Sequence, residues 1–198
     1  MVLRSIGITS CDIHELAELC STNSIWTVDL AYLLWRFHVE FSYLTITFGA
    51  NPNYSIEAFY KEQLPADVVR VDSLFRKAHE VGINIQCRSV CIHDISRLIS
   101  SGKYIAIALV DQYKLRKSWL EEVIVSGVHG DSNSYTGHYI VICGFDPVKD
   151  EFEIRDPASS KKQERISSTC LEKARKSFGT DEDLLLISLE NVKKQKEH

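Results

Sequence analysis

The chain has 198 residues, 44% of them hydrophobic and 25% charged, with a formal net charge of −4. One soluble globular domain with an ample core is the expectation. The acidic balance argues against a general nucleic-acid binder, though not against a nucleotide held in a local basic pocket. No apolar run approaches the ~20 residues needed to cross a bilayer, so no membrane partner is expected.

The first residues, Met-Val-Leu-Arg-Ser-Ile-Gly, are too short and polar to read as a secretory signal. Ser10 is placed to cap a helix over 11–19, where Ile13, Leu16, Ala17 and Cys20 form a stripe. Ser24 is placed to cap a second helix over 26–37, apolar nearly all round and therefore expected to be buried. Residues 39–48 alternate and are rich in β-branched and aromatic types, which predicts a strand. After a loop at 49–53 come a short helix over 55–62 and a stronger one over 69–81, stopped by Gly82. A strand over 83–88, a helix over 92–100 and an apolar strand over 104–110, central to the sheet, follow. The stretch 111–134 is the least regular and reads as a loop insertion or a cover over a cleft. Strands at 138–144 and 151–155, a helix over 168–178 and a last strand at 184–189 complete the pattern, and 191–198 reads as a charged, frayed tail. Helices come first and strands dominate later, which favours α+β over a doubly wound sheet.

The most pointed chemical signal is Gly137-His138-Tyr139-Ile140-Val141-Ile142-Cys143-Gly144-Phe145-Asp146, followed by Arg155-Asp156-Pro157. A His opening one strand and an Asp closing the next is how a papain-like fold presents the base and orienting carboxylate of a Cys-His-Asp triad. Gly137 leaves room for a close backbone approach. The competing reading is a strand-edge His and a turn Asp, since Asp-Pro commonly opens a turn.

The triad also requires a Cys at a helix N-terminus early in the chain. This chain has none in that place; of the thiols it does have, Cys11 sits at a predicted helix N-terminus, where the helix dipole lowers a thiol pKa. Cys143 falls on the opposite face of the strand from His138, and Cys87, Cys91 and Cys170 show no evident partner. Inert, reduced thiols of a cytoplasmic protein are the expectation for all six. Cys87, Cys91 and His93 lack the second ligand pair of a zinc site. No glycine-rich phosphate loop is present, and Arg155, Lys161 and Lys162 form only a small basic cluster. Gly179-Thr180-Asp181-Glu182-Asp183 offers carboxylates for magnesium, against which stands a plain turn with Gly179 capping a helix.

Four segments together carry a family resemblance: Ser24-Ile25-Trp26-Thr27-Val28-Asp29-Leu30-Ala31-Tyr32-Leu33-Leu34, Gly137-His138-Tyr139-Ile140-Val141, Asp156-Pro157-Ala158 and Ser177-Phe178-Gly179-Thr180-Asp181-Glu182-Asp183. They resemble the guanylyl cyclase 1 proteins of plants and the animal guanylyl cyclase domain-containing protein 1. The resemblance implies magnesium-dependent conversion of GTP to cyclic GMP and diphosphate. It also implies an upstream Asp-Cys-Gly-Leu-Ala-Cys segment that supplies the papain-like Cys, with this chain beginning directly after it, in the tail of the first helix. Arg36-Phe37-His38-Val39 matches the opening of a degenerate plant cyclase pattern, with Leu44 also in place, but Glu40, Ser42 and Gly49 break it. The competing reading of Arg36 is the end of a buried helix. Nothing resembles the paired metal-binding aspartates of class III cyclases.

The expectation is therefore an α+β, papain-like cysteine-peptidase-type fold of the double-glycine-peptidase kind, its first helix truncated. It is a single domain over 1–190 with a tail at 191–198, and His138 and Asp156 are its candidate catalytic residues. Two functions stay open: a guanylyl cyclase using GTP and Mg²⁺, or a thiol-hydrolase domain without its nucleophile, inert or a binding module.

Overall fold

A computed structural model describes residues 1–56, 58–61, 63–121 and 135–190. The expected tail at 191–198 and the second half of the irregular stretch lie outside the described residues.

The helices are α1 (Val2–Ser5), α2 (Ile13–Cys20), α3 (Thr27–Arg36), α4 (Ala58–Lys61), α5 (Leu64–Ala78), α6 (Ile92–Ser100), α7 (Gln112–Glu121) and α8 (Ser168–Arg175). The strands are β1 (Phe41–Thr45), β2 (Ile85–Cys87), β3 (Tyr104–Asp111), β4 (Gly137–Asp146), β5 (Glu151–Arg155), β6 (Glu164–Ser167) and β7 (Leu184–Ser188). They form one seven-stranded sheet in the order β2-β1-β7-β3-β4-β5-β6. All pairings are antiparallel except β1 with β2. The α+β class and the central place of β3 are as the sequence suggested.

Both faces of the sheet are covered. Tyr43, Ile105, Val141, Leu185 and Ile187 pack with α3 and α5 on one side. Leu44, Ala106, Ala108, Val110, Ile140, Ile142 and Ile154 pack with Ile95, Ile99, Leu171 and Ala174 on the other. Double burial explains why β3 and β7 read as continuous apolar runs rather than alternating ones. In β4 the register with β5 shifts between Ile142 and Gly144, so Cys143 is the extra residue of a bulge. Val141 and Cys143 pack on the α3 side while Ile142 and Phe145 pack on the other.

Several local expectations are corrected. The cap of α2 is Asp12, not Ser10: its carboxylate accepts from the His14 and Glu15 amides, and Glu15 reaches back to Asp12. The cap of α3 is Trp26, whose amide donates to Asp29 Oδ2 at 2.8 Å. Ser24 instead donates its hydroxyl to Asp67. α5 begins five residues before the expected 69, because Pro65 stands in its first turn, where a proline costs nothing. β6 escaped notice because it is short and half charged. The stretch from 111 opens with α7.

α3 and α5 are joined by a network of charge. Arg70 donates to Asp29 Oδ1 at 2.5 Å, to Asp67 Oδ1 at 3.1 Å and to the Ser24 carbonyl at 2.9 Å. The Trp26 indole N–H adds a bond to Asp67 Oδ2 at 2.9 Å. Asp29 and Asp67 are buried while the guanidinium is about a third exposed. Burial pushes the Asp29 pKa up, although Arg70 pulls it down. Removing the cation alone strands two buried carboxylates. Arg70→Met is expected to cost about 3 kcal/mol in urea unfolding. Adding Asp29→Asn and Asp67→Asn to it should recover most of that loss. A single variant as stable as the parent would show that the network carries no strain when broken.

Candidate functional site

β4 and β5 bring the two sequence-predicted residues together. His138 is the second residue of β4, paired with Val110 of β3, and Asp156 follows directly on β5. Val141 pairs with Arg155, so the ladder places Asp156 beside Ile140. His138 lies two residues along on the same face as Ile140, a diagonal neighbour within side-chain reach. His138 Nε2 and Asp156 Oδ1 are 2.7 Å apart, with side chains 14% and 10% exposed.

Asp156 is also a turn residue. Its Oδ1 accepts from the Ala158 amide at 2.7 Å, and its carbonyl accepts from the Ser159 amide at 3.1 Å. The turn does not compete with the pairing. It fixes the carboxylate at the end of β5 so that the oxygen meets the imidazole. With Nε2 engaged, Nδ1 is the ring nitrogen left to exchange a proton, the arrangement of a His held by an orienting carboxylate.

The structure does not bring the six cysteines to this pair in any hydrogen bond it gives. Cys91 donates to Asp94, Cys87 to the Ile46 carbonyl and Cys143 to the Glu153 carbonyl, and burial pushes the Cys143 thiol pKa up. Cys11 lines an apolar cavity of about 410 Å³ together with Pro157, Tyr139 and Val141. It lies two residues before α2, ahead of the Asp12 cap rather than within the first turn. Arg36 ends α3 in a Schellman turn: His38 takes φ 54°, and the His38 and Val39 amides return to Trp35 and Leu34. Arg36 is exposed on that turn. Its four-residue stretch is accounted for by helix termination.

The loop between α8 and β7, which the sequence offered as magnesium carboxylates or a plain turn, is built differently from either. Asp181 and Asp183 are buried rather than displayed on a turn. Asp181 and Glu182 both take positive φ, 48° and 53°, a conformation that non-glycine residues adopt only at a cost of about 1 kcal/mol or more each. Arg175, fully buried, holds the loop: it pairs with Glu172 and Glu182 and donates to the Val90 carbonyl at 2.6 Å. Thr180 donates back to the Arg175 carbonyl at 2.6 Å. Asp181 Oδ1 accepts from Thr47 and Tyr54, and Asp183 Oδ2 accepts from Tyr43 at 3.0 Å. Asp183 Oδ1 is buried with no hydrogen-bond partner among the described residues. The Thr27 and Thr45 hydroxyls stand close enough to favour its charge, but neither completes a bond to it. A signal was available in the sequence. Asp183, Leu185 and Ile187 follow one another at period two, and the last two face the α3-side core.

Asp181 and Asp183 line a cleft of about 300 Å³ with Trp26, Thr27, Tyr60 and Tyr139. Among the described residues, no group of three or more His, Cys, Asp or Glu gathers to hold a metal ion, and no helix is long and apolar enough to cross a membrane.

Comparison with known proteins agrees with the sequence resemblance. The family model described as guanylylate cyclase matches residues 1–187. The protein named guanylyl cyclase 1 from Arabidopsis thaliana is 77% identical over 195 residues, which span 98% of this chain and 71% of that protein. The chain belongs to this guanylyl cyclase family.

Burial, followed by the neighbouring Asp181, raises the Asp183 pKa to about 7. The groups facing it are Tyr43 and Thr45 of β1, Thr27 of α3, Tyr139 of β4 and Asp181 of its own loop. A raised carboxyl binds its proton more tightly folded than unfolded. Its stabilisation is complete at acid pH and is lost as pH rises from the ordinary carboxylate range through about 7. Between pH 5 and pH 8 the parent should lose about 2 kcal/mol more in urea unfolding than Asp183→Asn does. Parallel pH profiles for the two proteins would show that Asp183 ionises normally.

Proposed function

We propose that the chain is a guanylyl cyclase of the cytoplasm, converting GTP to 3′,5′-cyclic GMP and diphosphate. The observation that carries this reading is the family membership across residues 1–187, joined to a 77% identical relative named guanylyl cyclase 1.

Cyclisation needs the ribose 3′-hydroxyl to lose its proton as it attacks the α-phosphate. The buried His138–Asp156 pair is the described arrangement built for that step: the imidazole takes the proton, and Asp156 fixes the ring and stabilises the imidazolium. Diphosphate leaves, and His138 returns its proton to solvent. Magnesium enters this proposal with the nucleotide, as the ion on its phosphates, since such ions are commonly held by one or two carboxylates plus phosphate oxygens. The described residues form no metal cluster of their own, so no step is assigned to one.

A second reading is favoured by the same 2.7 Å pair. A His with Nε2 on a carboxylate, carried by a strand of a helix-flanked sheet, supports reading the chain as a papain-like, double-glycine-peptidase-like thiol hydrolase. On that reading this chain, whose thiols make no bond to His138 in the structure, is inert or binds without turnover.

Cyclic GMP formation from GTP, measured by mass spectrometry on pure protein with magnesium or manganese, separates the two. The cyclase reading expects product above a blank purification. His138→Ala should lower it by ~10²–10⁴-fold. Asp156→Asn should lower it as well, and Arg36→Ala should leave it unchanged. No product above the blank sinks the cyclase reading in favour of the thiol-hydrolase domain.

A further inference from the structure

The cleft over Asp183 has no role in the proton transfer assigned to His138, and its chemistry is specific. Its floor is a buried carboxylate with one oxygen lacking any partner among the described residues. Leaving such an acceptor unpaired is costly, and native proteins seldom tolerate it without a use. The strained backbone at Asp181 and Glu182 points the same way, because strain of this kind persists where the surroundings enforce it and concentrates at ligand sites. Two further contacts rigidify the loop: the Tyr60 hydroxyl donates to the Gly179 carbonyl at 2.8 Å, and the Lys114 ammonium reaches Ser177 at 2.7 Å. The carboxylate is thus held in place before any ligand arrives.

The walls are flat and aromatic. Trp26 and Tyr60 meet with ring centroids 5.3 Å apart, and Tyr139 also lines the cleft, its hydroxyl 3.1 Å from that of Thr27. Asn23 and Gln63, exposed at the rim, add side-chain amides. A volume of about 300 Å³ stands at the lower end of the ~300–1,000 Å³ range of small-molecule sites, which suits one planar base rather than a whole nucleotide.

We propose that this cleft recognises a guanine base, with Asp183 accepting hydrogen bonds from its N1–H and N2–H groups. The choice of base follows from donors and acceptors. Guanine presents two adjacent donors to a carboxylate, and its O6 acceptor is left for a rim amide. Adenine and cytosine each set an acceptor nitrogen beside their one amino group, and a carboxylate repels it. The aromatic walls stack on the base and exclude water, which strengthens the carboxylate bonds. The assignment rests on the GTP reading above for its choice of nucleotide. It is separate from the His138 step, because Tyr139 lines the cleft while His138, its neighbour on β4, faces the other side of the sheet with Ile140.

The test is isothermal titration of the full chain with guanosine, inosine, 1-methylguanosine and adenosine, none of which carries a phosphate. Inosine lacks the N2 amino group and 1-methylguanosine lacks N1–H. Each should bind at least ~10-fold more weakly than guanosine, and adenosine no better. Asp183→Asn should weaken guanosine by a similar factor, with thermal unfolding as the check that it folds. The analogue comparison needs no variant, so it stands even if that protein does not fold. Equal affinity for guanosine and inosine, no guanosine binding, or undiminished binding by a folded Asp183→Asn protein overturns the assignment. Cyclic GMP formation without Asp183-dependent guanosine binding would overturn the base site alone. Asp183-dependent guanosine binding without cyclic GMP would overturn the cyclase reading alone.

Discussion

Arg70 is the cation on which the α3 side of the molecule depends. Asp29 and Asp67 come from different helices, and neither can stay charged and buried without it. Once the guanidinium bridges them, Ser24 and Trp26 bond to the same carboxylates and the Ser24 carbonyl accepts from Arg70, which ties the segment before α3 to α5. The network adds little net stability, since burial raises the Asp29 pKa even with Arg70 beside it. Its effect is geometric. It places Trp26 and Thr27 at the wall of the cleft, against Tyr139 of β4.

Arg175, which is buried, fixes the loop that carries Asp181 and Asp183. Arg175 ties the end of α8 to the loop that leads into β7, pairing with Glu182 while that residue holds a left-handed backbone conformation. Ser89 donates to the same Glu182 carboxylate, and Thr47, Tyr54 and Tyr43 reach Asp181 and Asp183 from other elements. The loop is therefore over-determined, as a strained segment must be to persist. Tyr54, Tyr60 and Tyr135 stack beside it, with centroid spacings of 5.1 and 5.7 Å. Two clamps, one built on the partly exposed Arg70 and one on the buried Arg175, hold residues that line the cleft or the loop beside it.

The His138–Asp156 pair depends on neither clamp. It is made by β-sheet register and one turn, where the β4–β5 ladder ends inside the sheet. The protein thus presents two candidate chemistries at separate places: a proton-transfer pair on adjacent strands, and a carboxylate-floored aromatic cleft between α3 and the α8–β7 loop.

The sequence by itself determined the elements whose burial is set locally. Continuous apolar runs marked β3 and β7, helical periodicity marked α3, α5 and α6, and Gly-His with Asp-Pro marked the pair that the register then brought to 2.7 Å. A strand's period and a turn's proline are properties of neighbouring residues, so they are readable in one dimension. What only the tertiary structure decided were the partners of charge. Asp29, Asp67, Asp181, Asp183 and Arg175 look like solvated residues in the chain. Asp29 and Asp183 become buried because their partners arrive from segments 41 residues away, as Arg70 does for Asp29, or 140 away, as Tyr43 does for Asp183. Composition and spacing carry no information about such distant pairings. The caps followed the same rule, since Ser24 had the right chemistry for α3 and was claimed by Asp67 instead. Short-range physics fixed what this chain folds into, and long-range electrostatics chose where it could hold a ligand.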